Sequence, residues 1–173
     1  ITFREEVVAR RTANDLKKAR ERSHILCGLA VAVANVDEVV ETIRSSSDPS
    51  DARNKLTNRK WPASQIKEYI SLIDDPLNQI EADGSYFLSE IQARAILDLR
   101  LQRLTALGVA EISEELKDLA LRIKEFLDIL SSQERILSII ATELKEIREA
   151  YAVPRRSEIV PFDGDMEDED LIE

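Results

Sequence analysis

The sequence predicts an all-α protein: a long antiparallel coiled coil within one chain, with a small helical globule at its tip. Three observations predict it. Charged residues make up 34% of the 173 positions, aromatics only 5%, and Gly and Pro are scarce at four and five. That composition favours long helices with solvated charges. A heptad pattern runs through residues 110–151. A second segment, residues 3–34, is helical by composition and opposite in charge.

The heptad pattern is the strongest signal. Leu116, Ile123, Leu130, Leu137, Leu144 and Tyr151 are each seven residues apart. Leu119, Phe126, Gln133, Ile140 and Ile147 follow each of the first five by three. Only Gln133 is polar. Such a sustained a/d seam marks a coiled-coil helix. No Gly or Pro lies between Gly108 and Pro154, so one unbroken helix is expected, about 60 Å long at 1.5 Å per residue.

An apolar seam needs a partner. In residues 3–34 a weaker seam of smaller residues runs at spacings of three and four: Ala9, Thr12, Leu16, Ala19, Ser23, Leu26, Ala30 and Val33. Residues 1–24 carry seven bases and four acids; residues 111–149 carry ten acids and six bases. Opposite flanking charges favour pairing these two segments with each other. The expected seam includes Leu16 and Leu26 on one helix. Opposite them stand Leu116, Leu119, Ile123, Phe126, Leu130, Leu137, Ile140, Leu144 and Ile147. The predicted organisation is a first arm (1–34), a helical globule (35–109), a returning arm (110–152) and an acidic linker (153–173).

Within the globule, Asp48-Pro49 reads as an N-cap followed by Pro at the first helical position. Pro62 is expected to open a helix carrying Ile66, Tyr69, Ile70 and Ile73 on one face. Asp74-Asp75-Pro76 closes it, and Asp83-Gly84 marks a turn. Ser89-Glu90-Ile91-Gln92 is a capping box opening a helix that runs to about Leu104. That helix is apolar on several sides: Ile91, Ala95 and Leu99 on one, Ala93, Leu97, Leu101 and Leu104 opposite. Either it is the central helix of the globule, or one side faces a second chain.

Several functions are disfavoured. Residues 163–173 hold seven acids and no base, and the remainder stands at −3 of the total −10, so no basic surplus points to strong nucleic-acid binding. Cys27 is the only cysteine and His24 the only histidine, too few for a zinc site. Cys27 reads as a buried core thiol and His24 as a packing or capping residue. Tyr69, Tyr86 and Tyr151 read as structural. No apolar run reaches the roughly 18 residues of a membrane span, so no membrane partner is expected. The chain starts at Ile1 already in a helical pattern, as expected for a piece of a longer protein.

Residues 10–44, RRTANDLKKARERSHILCGLAVAVANVDEVVETIR, and residues 88–112, LSEIQARAILDLRLQRLTALGVAEI, closely resemble the A subunits of bacterial gyrases, type IIA topoisomerases. PRRSEI (154–159) and EDEDLI (167–172) resemble the segment leading from the breakage-reunion domain toward a C-terminal DNA-wrapping domain. The A subunit of topoisomerase IV is the near relative, but the long stretch 45–87 and LRLQRLTAL favour gyrase. The resemblance implies a non-catalytic exit-gate and dimerisation segment. The parent enzyme would perform ATP-dependent negative supercoiling by passing one duplex through another, in the cytoplasm. Its catalytic tyrosine, arginine and Mg²⁺ site would lie outside this chain, and the fragment itself would need no cofactor. The implied partners are a second copy, the B subunit in an A2B2 enzyme, passing duplex DNA, and a gyrase-poisoning toxin. The implied dimer contact is Leu97, Arg100, Leu101, Leu104 and Leu107, with Arg100 and Arg103 available to the toxin. A stand-alone coiled-coil scaffold is the alternative reading.

Overall fold

A computed structural model describes residues 1–64, 67, 70, 80–99, 106–157 and 159. Among these, six helices and two short strands run in the order α1 (Thr2–Ala34), α2 (Val36–Arg44), α3 (Pro49–Asn58), β1 (Lys60–Pro62), β2 (Ser85–Phe87), α4 (Glu90–Asp98), α5 (Ala106–Ser131) and α6 (Gln133–Tyr151). Residues 1–140 form one compact unit and residues 141–173 another. The fold is α-helical: a coiled pair of long helices, α1 and α5, with a small globule at one end.

Along α1, Val8, Thr12, Leu16, Ala19, Ser23 and Leu26 are buried, at spacings that keep one stripe facing α5. Leu116, Leu119, Ile123 and Ile129 of α5 are buried too, with Phe126 and Leu130 half-buried beside them. The α1 stripe thus mixes small residues (Thr12, Ala19, Ser23) with larger ones, while Leu116, Leu119, Ile123 and Ile129 of α5 are all large. Arg22 binds Glu115 through two hydrogen bonds of 2.7 and 3.0 Å, while Gln133 donates to Glu5 at 3.3 Å. Moving back along α1 from Arg22 to Glu5 therefore means moving forward from Glu115 to Gln133, so the helices are antiparallel.

The expectation of one unbroken returning helix is corrected. The helix ends at Ser131 and restarts at Gln133. Ser132 Oγ accepts from the Arg135 amide at 3.4 Å, the bond of an N-cap, and Arg135 pairs with Asp128 across the break at 3.0 Å. A capping serine can stop a helix without Gly or Pro, because its side chain replaces the missing turn. The antiparallel register reaches the first residues of α1 at the start of α6. Of the later expected seam residues only Ile140 is buried; Leu137 is exposed, as are Leu144 at 52% and Ile147 at 50%. Tyr151 is exposed as well.

At its other end α1 stops at Asn35, and α2 leaves at 92°. The Asn35 side-chain amide holds the bend by donating to Val31 O at 2.8 Å and to Pro62 O at 3.3 Å. Asp48 caps α3 by accepting from the Ser50 and Asp51 amides at 2.7 and 2.8 Å, with Pro49 at the first position. Pro62 does not open a helix. It ends β1, which pairs antiparallel with β2 in the register Trp61 opposite Tyr86. Both rings are buried, and Trp61 Nε1 donates to Leu56 O at 2.9 Å. Lys67 and Ile70 are helical and Ile70 is buried, while Ile66, Tyr69, Ile73 and the 74–76 stop lie outside the described residues. Gly84 supplies the positive φ of +79° that the Asp83-Gly84 turn needs. Among the described residues, no single helix is long and apolar enough to cross a membrane.

Candidate functional site

The end of the arm is joined to the globule by a buried polar cluster around Gln92. The local cause is the capping box. Ser89 Oγ accepts from the Gln92 amide at 3.2 Å, and Gln92 Oε1 accepts from the Ser89 amide at 2.9 Å. This starts α4 and fixes the Gln92 carboxamide against α1. Its Nε2 donates to His24 O of α1 at 2.7 Å and to Tyr86 Oη at 2.8 Å, while Tyr86 Oη lies 3.1 Å from Oε1. Both donor hydrogens and both acceptor lone pairs of the amide are thereby used. Gln92 is 0% exposed, where an unpaired amide would carry a large desolvation cost.

Gly28 makes the approach possible. It sits one turn after His24 on α1. A Cβ there would lie 2.6 Å from both Cβ and Cγ of Gln92 and 2.9 Å from Cδ, closer than atoms tolerate. His24 adds a second tie, with Nε2 lying 2.7 Å from Ser89 Oγ. One turn of α1 thus binds both ends of the capping box. This agrees with a packing role for His24. Cys27 lies beside it, fully buried, and desolvation pushes its thiol up to about 12. It stays protonated at neutral pH and is a core group.

The expected contact helix is shorter than the sequence predicted. It ends at Asp98, and Leu99 turns to an extended conformation (φ −69°, ψ 129°) after its amide bonds Ile96 O. It therefore does not continue as one helix to Leu104. Within it, Gln92, Ala93 and Ile96 are buried against α1 and α3, and Leu97 is half-buried against the core. Ile91, at 62% exposure, shares the outer face with Arg94 and Asp98. Arg100, Leu101, Arg103 and Leu104 lie outside the described residues, as does the side chain of Leu107 in α5.

Sequence reasoning found the capping box but missed the reach of Gln92 and the notch at Gly28. The available signal was a glycine inside a long helix, where it costs about 1 kcal/mol relative to Ala and so implies a packing reason. Of the three tyrosines, Tyr86 is a buried structural group, Tyr151 is exposed at the end of α6, and Tyr69 lies outside the described residues.

The family of DNA gyrase/topoisomerase IV A subunits matches residues 1–145. The DNA gyrase A subunit of Granulibacter bethesdensis is 47% identical over 173 residues, covering all of this chain and 18% of that protein. That of Neisseria gonorrhoeae is 45% identical over 182 residues, covering 99% of this chain and 20% of that protein. That of Rickettsia bellii is 43% identical across the whole chain, which spans 19% of it. The chain thus spans about a fifth of the length of the curated relatives it matches. With a family match over most of its length and end-to-end likeness to these relatives, the chain belongs to the family of DNA gyrase/topoisomerase IV A subunits.

Proposed function

We propose that this chain is the exit-gate and dimerisation segment in the A subunit of a gyrase, acting as a mechanical part with no chemistry of its own. The observation that carries the reading is the joint at Gln92. An antiparallel helix pair is a lever only if its end moves as one body with what it carries. Two hydrogen bonds across the joint, His24 O with Gln92 Nε2 and His24 Nε2 with Ser89 Oγ, and a glycine notch supply that rigidity in a segment of the gyrase family. The tip then meets its twofold mate through Leu97, Arg100, Leu101, Leu104 and Leu107. Such an isologous contact needs a modest self-complementary apolar patch, so that the gate can part and close again.

The whole enzyme, an A2B2 assembly, would pass duplex DNA through a double-strand break and out through this gate in the cytoplasm. ATP and Mg²⁺ serve that enzyme at sites outside this chain. Arg100 and Arg103 beside the patch are the groups a gyrase-poisoning toxin would engage.

The test is the oligomeric state. Sedimentation of the chain across a concentration series should show a dimer, and Leu101→Asp should return it to monomer with its helical circular dichroism unchanged. A wild-type chain that stays monomeric at high concentration would overturn the gate and leave the scaffold reading.

A further inference from the structure

We propose that the α1–α5 pair carries its own contact for duplex DNA, a basic groove made by Lys18, Arg22 and Arg122. The proposal rests on the exit-gate reading, which makes duplex DNA the polyanion that passes the arm.

The groove is open, about 400 Å³, and lies where α1 and α5 meet. Leu119 and Phe126 contribute its apolar lining, and Asp15 is the one carboxylate that lines it. Lys18, Arg22 and Arg122 are all exposed there. In a chain of net charge −10, three cations set against Asp15 and the Glu115 that pairs with Arg22 still reverse the prevailing sign at this spot. Glu115 faces Arg22 from α5 and takes up part of its charge, but it also fixes the guanidinium at the rim. That hydrogen bond raises the Arg22 pKa, so the group remains charged at all working pH.

Basic residues continue along one flank. Arg4, Arg11 and Lys18 are seven residues apart and exposed. Seven residues bring a helix back to nearly the same side. From Arg4 to Lys18 the stripe runs about 20 Å at 1.5 Å per residue, the span of roughly six phosphates of one strand at about 3.4 Å each. Separated basic side chains along a helix offer no pocket for base edges. They offer phosphate contacts without sequence information. Two or three such contacts bind weakly and in a strongly salt-dependent way, as suits a duplex that must leave.

The experiment measures anisotropy of a labelled duplex of about 20 base pairs, titrated with the full 173-residue chain at salt from about 50 to 200 mM. The groove variant is Lys18→Gln with Arg122→Gln, which spares the Arg22–Glu115 pair. The charge-matched control is Lys17→Gln with Lys124→Gln, exposed lysines that do not line the groove. The groove variant should bind about tenfold more weakly at low salt, and its slope of log K against log salt should be shallower by about 1.8. The control should keep the wild-type slope. Equal effects of the two variants would overturn the proposal, as would wild-type binding that ignores salt. Tighter binding of a polyglutamate peptide than of duplex would also overturn it, by assigning the groove to an acidic protein. Sedimentation of the same samples separates this proposal from the gate: a wild-type chain that forms the dimer but binds no duplex counts only against the groove.

Discussion

The seam between α1 and α5 and the joint at Gln92 hold adjoining parts of one body together by opposite means. The seam relies on apolar area. Ile123 and Leu116 of α5 and Leu16 of α1 are buried in it, and Arg22–Glu115 is a half-exposed ion pair worth little by itself. The joint relies on direction. It has few atoms, but the Gln92 amide is aimed at His24 O and Tyr86 Oη, and a Cβ at Gly28 would collide with it. Apolar packing tolerates changes of shape if volume is kept, whereas an oriented polar cluster does not. An arm can therefore bend slightly along its length while its tip stays in one orientation.

Truncation inside the seam should give the largest loss of stability. Ile123 is fully buried, so Ile123→Ala should cost about 2–5 kcal/mol through lost transfer energy and a cavity. The volume-keeping Leu116→Met should cost less than about 1.5 kcal/mol. Urea denaturation read by circular dichroism compares the two. If both cost the same, the seam is as exacting as the joint, and the contrast fails.

The joint should show the reverse sensitivity. Gly28→Ala adds one methyl group, normally a gain for a helix. Here it drives a Cβ into Gln92, so the expected outcome is a loss of about 1–3 kcal/mol from overpacking. A chain stabilised by Gly28→Ala would show that α4 is free to move off α1. Hydrogen exchange offers a local reading: the amides of Ser89 and Gln92 should exchange faster in the variant while those of α5 stay protected.

How much of this was legible follows from how local each cause is. The caps at Asp48 and Ser89 and the Asp83-Gly84 turn were readable because their partners lie within three residues. The first half of the seam was readable from its period. The break at Ser132 was hidden because the apolar heptad continues through it. Ser131-Ser132 followed by the polar seam residue Gln133 was the only sign. The β1–β2 pair was hidden because its strands are three residues long and separated by residues 63–84. Pro62 was misread because a proline that lacks an N–H suits the first turn of a helix and the end of a short strand alike. Gly28 and Gln92 meet only in the folded chain, so neither residue announces the other.

The smallest expected effect lies in the turn that leads into β2. Asp83 accepts hydrogen bonds from the Ser85 hydroxyl and, at 3.0 Å, the Ser85 amide; Lys60 adds a pair at 3.1 Å. The two Ser85 bonds first, and then Lys60, hold the Asp83 carboxyl at about 2, below the usual value near 3.9. A carboxylate with a depressed folded pKa favours the fold above its unfolded pKa. That contribution fades as pH falls from about 4 to about 2. The group is fully exposed, so the effect should remain local to the turn. The protection of the Ser85 amide relative to its intrinsic exchange rate, followed by NMR, should fall across that window, and Asp83→Asn should abolish this pH dependence of the protection. The protection of the Gln92 amides, which depend on no titrating carboxylate, should stay flat over the same range. If they loosen in step with Ser85, then the turn and the joint open together, and the joint is less independent than its geometry implies.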